Sequence, residues 1–170
     1  MTALDRAASI LSAFAALIAG TMLVAMVGHT ILEMVLRAFF NTSTFVLDEF
    51  VGYEVAALTM LGLGHALNTG GLIRVNLLTR LLGTTAQRRV ELAVVILVFA
   101  LCLYLSRYHL LAIEAAYARG TRSNTLAQTP LWLPLAVFVA GLVIFMIQLL
   151  AYALRLLGGG TPIRANHESA

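Results

Sequence analysis

Apolar positions fill four long stretches of this chain, and short polar segments separate them. Residues 7–32 carry no charged side chain, and neither do residues 123–154. The hydrocarbon core of a bilayer is about 30 Å thick and takes about 20 helical residues to cross. Both stretches exceed that length, and they predict membrane-crossing helices at about 7–32 and 130–155. Two further spans, at about 46–67 and 86–113, are interrupted by charge: Asp48 and Glu49 open the first, with Glu54 just inside, and Arg107 lies near the far end of the second. An ionisable group costs about 2.5–3.5 kcal/mol at the centre of a membrane helix and far less near its ends. The pattern therefore predicts an all-α integral membrane protein with four transmembrane helices, forming one domain over residues 1–157.

The three connections differ in character. After the first span, Glu33 and Arg37 stand four residues apart, on one face of a helix that continues to Phe39 or Phe40. Asn41, Thr42, Ser43 and Thr44 then form a turn, and Asp48 and Glu49 complement the positive end of the next helix dipole. The middle connection opens with the helix stop Asn68-Thr69-Gly70-Gly71 and continues with apolar positions 73, 77, 78 and 81 among polar 74, 76 and 80. That spacing predicts a short amphipathic helix at about 72–83 in the membrane interface. The last connection ends in Pro130-Leu131-Trp132-Leu133-Pro134, where Pro130 suits a first helical turn and Trp132 the headgroup level. Residues 158–170 read as a disordered tail.

Composition supports the membrane reading: 61% of the 170 residues are hydrophobic and 11% charged, against roughly 25% charged in a soluble domain. All eleven basic residues are Arg. Seven of them (6, 74, 80, 88, 89, 155 and 164) fall on one side of the predicted topology and four (37, 107, 119 and 122) on the other, so the positive-inside rule places both termini and the middle connection in the cytoplasm. The basic charge is thus a matter of topology, and nucleic acid is not needed to explain it. The first apolar run is too long for a signal-peptide core and reads as an uncleaved anchor. One cysteine, Cys102, permits no disulfide within the chain.

Ala8, Ser12, Ala16 and Gly20 recur every four residues and predict a small-residue ridge for helix packing. Glu54 is the acid set deepest, about 9 Å into its span at 1.5 Å per residue; structural pairing, with Arg37 or a partner protein, is preferred over a proton relay. His29, His65 and His109 fall in three different spans, and only the first and last share a side, so a haem could be held only by that pair. Gly62-Leu63-Gly64 lies inside an apolar helix without the Lys, Ser or Thr of a phosphate loop. No nucleophile and base share an evident pocket, so the expectation is no enzyme, no cofactor and no metal site.

Several segments, in order along the chain, resemble one known family. Glu33-Met34-Val35-Leu36-Arg37-Ala38-Phe39-Phe40-Asn41 is similar to the end of that family's first span, and Asp48-Glu49-Phe50 to its acidic second start. Gly62-Leu63-Gly64-His65-Ala66-Leu67-Asn68-Thr69-Gly70-Gly71-Leu72-Ile73-Arg74-Val75-Asn76-Leu77-Leu78 resembles its exit into the middle loop, and Arg122-Ser123 with Pro130-Leu131-Trp132-Leu133-Pro134 its entry to the fourth span. The family is the small, Q-type membrane subunit of tripartite ATP-independent periplasmic (TRAP) transporters. The chain departs from it at Phe45 and Val46, near which the family carries a tryptophan, and at Leu72 and Asn76, which stand where the family usually has a His and an Asp.

The resemblance implies an accessory subunit of the bacterial inner membrane. It would brace a large transport subunit during secondary, sodium-coupled symport of an organic acid delivered by a periplasmic binding protein. Arg37, Asp48, Glu49, Glu54 and Arg122 are the candidates for contacts between subunits. Three alternatives stand beside it: the small membrane subunit of a tripartite tricarboxylate transporter, a haem-bearing anchor of a redox enzyme, and a self-sufficient small transporter.

Overall fold

The computed structural model describes residues 3–71 and 83–158. The expected interfacial helix and the polar tail lie outside the described residues, apart from their edges at Gly83 and Gly158. Four helices make up the described chain: α1, Ala3–Phe40; α2, Leu47–Asn68; α3, Thr84–Ala118; and α4, Trp132–Leu157. Each is long and apolar enough to cross a membrane. The 22 residues of α2 reach about 33 Å, close to the hydrocarbon thickness. At 38 and 35 residues, α1 and α3 are longer than a crossing needs.

Charge at the helix ends follows the backbone dipole. Asp5 sits in the first turn of α1 and Asp48 and Glu49 in that of α2, while Arg37 and Arg155 occupy the last turns of α1 and α4. The stop read at Asn68-Thr69-Gly70-Gly71 is a Schellman turn: Gly71 N donates to Ala66 O at 2.8 Å and Gly70 N to Leu67 O at 3.3 Å. Gly70 adopts φ 71°, a conformation open to glycine without steric cost.

The helices alternate in direction. Residues 40–47 and 118–132 lie at one end, and the start of α1 and the end of α4 at the other. The fourth helix is the hub. It packs against α1, α2 and α3, and α1 also packs against α2, whereas no comparable packing joins α3 to either of these. Leu142, Phe145, Leu149, Tyr152 and Leu156 of α4 form one core with Leu67 of α2 and Val95 and Cys102 of α3. On the other side Ala15, Ala19 and Leu61 form a second core beside Val137 and Ile144.

The crossing of α2 and α4 is set by Gly141. A Cβ there would lie 2.7 Å from Met60 Cβ, 2.8 Å from Met60 C and 2.9 Å from Leu61 N, so the two backbones meet where a side chain would stand. A milder version occurs at Gly64, where a Cβ would come 3.2 Å from Ser12 Cβ and 3.9 Å from Gln148 Cβ, joining α1, α2 and α4 at one level. On α1, Ala8 and Ser12 of the expected ridge are buried, but Ala16 is half-buried and Gly20 exposed with nothing near it. The buried stripe runs Ala8, Ser12, Ala15, Ala19 instead. At 3.6 residues per turn a strict four-residue step rotates about 40° each time, and alternating four with three brings the stripe back to the same face.

Side chains tie α3 to α4 along its length. Arg88 Nη2 donates to the terminal Leu157 carbonyl at 2.7 Å and Tyr152 OH to Glu91 Oε2 at 2.6 Å. Ser106 Oγ meets Met146 Sδ at 3.8 Å. The His109 ring stacks on Phe138 at 4.7 Å, and Tyr117 meets Trp132 edge-on at 5.8 Å.

Candidate inter-subunit site

Among the described residues, polar chemistry concentrates at the end where α1 and α3 finish and α2 and α4 begin. Its centre is Glu33, 2% exposed in the last third of α1. The backbone turns back after Phe40 so that residues 43 and 44 fold onto this carboxylate. Arg37 Nε donates to Oε1 at 2.7 Å, and Ser43 Oγ donates to the same oxygen. Thr44 donates to Oε2 through its backbone N at 2.9 Å and its hydroxyl at 2.7 Å. Phe45 N then donates to Ser43 Oγ at 3.0 Å. These bonds hold Asn41 at φ 49° and Phe45 at φ 59°; the second is a conformation that a bulky residue keeps only where its surroundings impose it.

A second carboxylate ties the other connection to α2. Glu49 is half-buried; Tyr53 OH donates to its Oε1 at 2.8 Å and Thr125 Oγ1 to its Oε2. Thr125 belongs to a loop bonded to itself. Arg122 and Pro130 form an antiparallel bridge, Ser123 N donates to Thr129 O at 2.9 Å, and Thr129 N donates to Ser123 Oγ at 3.0 Å. Glu49 therefore anchors residues 119–131 to the start of α2.

The candidates read from the sequence occupy different places here. Arg37 is 62% exposed along its side chain, with Nε engaged by Glu33. Asp48 and Arg122 are exposed at the same end. Glu49 is committed to the chain's own loop, and Glu54 is half-buried with Oε2 shielded and without a partner among the described residues. His29 packs edge-on against Phe50 of α2 at 5.9 Å, while His109 is on the α3–α4 side and bonded through Nδ1 to Leu105 O at 2.8 Å. Sequence reading paired Glu33 with Arg37 but missed its bonds to Ser43 and Thr44, and it missed Thr125 and Gly141. The one signal for the first was a buried-end acid followed by a Ser-Thr pair ten residues on.

Both carboxylates fix loops of this chain. Removing Glu49, which is half-buried and holds one loop, should therefore act locally. Glu49→Ala is expected to leave the helices in place and free residues 119–131, read as roughly tenfold faster proteolytic cleavage there. Unchanged cleavage would show that Glu49 does not hold the loop.

Four membrane-crossing helices, with the densest polar bonding among the described residues spent on two connections at one end, define a polytopic membrane subunit. The family model for the DctQ component of tripartite ATP-independent periplasmic transporters matches residues 26–159. The chain belongs to that family and is a small inner-membrane subunit of a TRAP transporter. The match also decides between the two tripartite classes weighed above. Comparison with curated proteins and with solved structures gives no match.

Proposed function

We propose that this subunit braces the large membrane subunit of its transporter during secondary, sodium-coupled uptake of an organic acid, which a periplasmic binding protein delivers. The observation that supports this reading most is the use made of the polar groups. Glu33 and Glu49 hold the chain's own connections, while Arg37, Asp48 and Arg122 stand outward beside them. A braced end with exposed charge suits contact with another protein. The distribution of arginines supports placing this end in the periplasm and both termini in the cytoplasm.

Reconstitution in liposomes tests the reading. Uptake of a radiolabelled C4-dicarboxylate, sialic acid or keto acid should require this chain, the large subunit, the binding protein and an inward sodium gradient. Asp48→Lys with Arg122→Glu should lower uptake while the membrane complex is still recovered intact. Uptake by this chain alone, or uptake unaffected by leaving it out, would overturn the proposal.

A further inference from the structure

Arg107 takes no part in the bonding described above. It lies seven residues before Glu114 and ten before Tyr117 on α3, about 10 Å and 15 Å along the helix axis. Tyr117 is in contact with Trp132 at 5.8 Å, and such rings sit at the headgroup level. Because α3 runs on to Ala118, Arg107 lies well inside the hydrocarbon, deeper than the far end of the span expected from the sequence and apart from the outer arginines 119 and 122. Toward the other end, the nearest charged residue of α3 is Glu91, 16 residues or about 24 Å away.

The side chain also faces away from the rest of the chain. α3 meets α4 through Val95, Cys102, Ser106 and His109, and Arg107 is turned about 140° from Cys102 at 100° per residue. Its neighbours one turn away in both directions, Leu103, Tyr104, Leu110 and Leu111, are 55%, 69%, 46% and 48% exposed. Arg107 itself is exposed, and no hydrogen bond or ion pair joins it to another described residue.

A guanidinium surrounded by apolar surface inside a bilayer needs an anion or a route to the headgroups. Lipid phosphate fits poorly. It lies beyond the Tyr117–Trp132 level, and the Cα–Cβ bond of a helical residue leans toward the helix N-terminus, here away from that level. A second copy of this chain fits poorly too. Its acids nearest that depth are Glu33, whose carboxylate is taken up by Arg37, Ser43 and Thr44, and Glu54, which shares the face of α2 that buries Ala57 and Leu61 and is itself turned inward with Oε2 shielded. A carboxylate on a membrane helix of a different protein meets both requirements of charge and depth.

We propose that the Arg107 face of α3 is the docking surface for a transmembrane helix of the large subunit that carries an Asp or Glu at this depth. The proposal rests on the pairing put forward under Proposed function. It is tested by co-expressing both subunits and recovering the large one through a tag on this chain. Arg107→Glu should cut the recovered large subunit by about tenfold or more, the scale of breaking a desolvated ion pair, while Arg107→Lys retains most of it. With Arg107 intact, a photo-crosslinking residue at position 103 or 111 should give an adduct with the large subunit. Changing an acid in the crosslinked segment to Lys should restore binding to the Arg107→Glu chain.

Crosslinks that reach only lipid or a second copy, or full recovery with Arg107→Glu, would overturn this surface while leaving the pairing of subunits standing. Failure of the unmodified chain to recover any large subunit would remove both. Because the crosslinks use the native Arg107, they decide the question even where the charge reversal prevents insertion.

Discussion

Glu33→Ala is expected to lower the apparent melting temperature of the purified subunit in detergent by about 5–10 °C, the largest fall of any single polar substitution here. The reason is the number of donors that the carboxylate serves. Four of them converge on it from Arg37, Ser43 and Thr44. Ser43 and Thr44 are half-buried, and leaving such donors without an acceptor adds a desolvation cost to the loss of the bonds. Gln at this position should rescue little. Its Nε2 is a donor, and it would face the Thr44 N–H or the Arg37 Nε–H, neither of which can accept. Arg37→Ala, by contrast, removes one donor and leaves three, so it should fall well short of the Glu33→Ala effect. Equal losses for Glu33→Ala and Arg37→Ala would mean that the i,i+4 ion pair, and not the folded-back connection, carries the stability.

Gly141→Ala is the second large effect. The added methyl would meet Met60 C and Leu61 N at 2.8 and 2.9 Å. These are backbone atoms in the middle of α2, which cannot swing aside as a side chain tip can. The two helices must separate instead, and overpacking of this kind costs about 1–3 kcal/mol. Separation would also disturb Leu61 and Leu142, which lie on either side of the crossing. Gly62→Ala serves as the control: nothing lies within 4 Å of the position, and alanine is the better helix former. Denaturant titration in micelles should separate the two variants clearly. If they unfold alike, the contact at Gly141 is slack and the helices are not set by it.

The four helices were legible because length and hydropathy answer directly to the thickness of a bilayer, with no need of tertiary information. The end of α2 was legible for the same local reason, since Gly70 and Gly71 supply a Schellman turn wherever they follow a helix. The packing stripe of α1 was half legible. Ala8 and Ser12 lie on it, but a four-residue rule carried on to Ala16 and Gly20 drifts off the face that α2 and α4 cover. Gly141 was not legible at all. Its importance comes from Met60 and Leu61, some 80 residues earlier, and from α4 being the helix that all the others touch. Glu33 shows the same division. Its pairing with Arg37 follows from helical spacing, whereas its bonds to Ser43 and Thr44 depend on a chain reversal that polar residues alone do not specify. Among the inter-subunit candidates, the outward charges of Arg37, Asp48 and Arg122 could be named from topology. That Glu49 would be consumed by Thr125, 76 positions away, could not.

The central position of α4 also orders events at the ribosome. α1 and α2 pack against each other and can pair as soon as both have entered the membrane. α3 follows into the lipid with no companion of its own, since its partner in this chain is the helix that emerges after it. Until α4 arrives, Val95, Cys102 and Ser106 face lipid, and so do Met60 and Leu67 on the opposite side of the vacancy. Insertion of α4 then closes both interfaces in one step. A nascent chain stalled in the 119–131 connection would thus hold a finished hairpin and an orphan helix, two pieces with no packed interface between them for membrane quality control to spare.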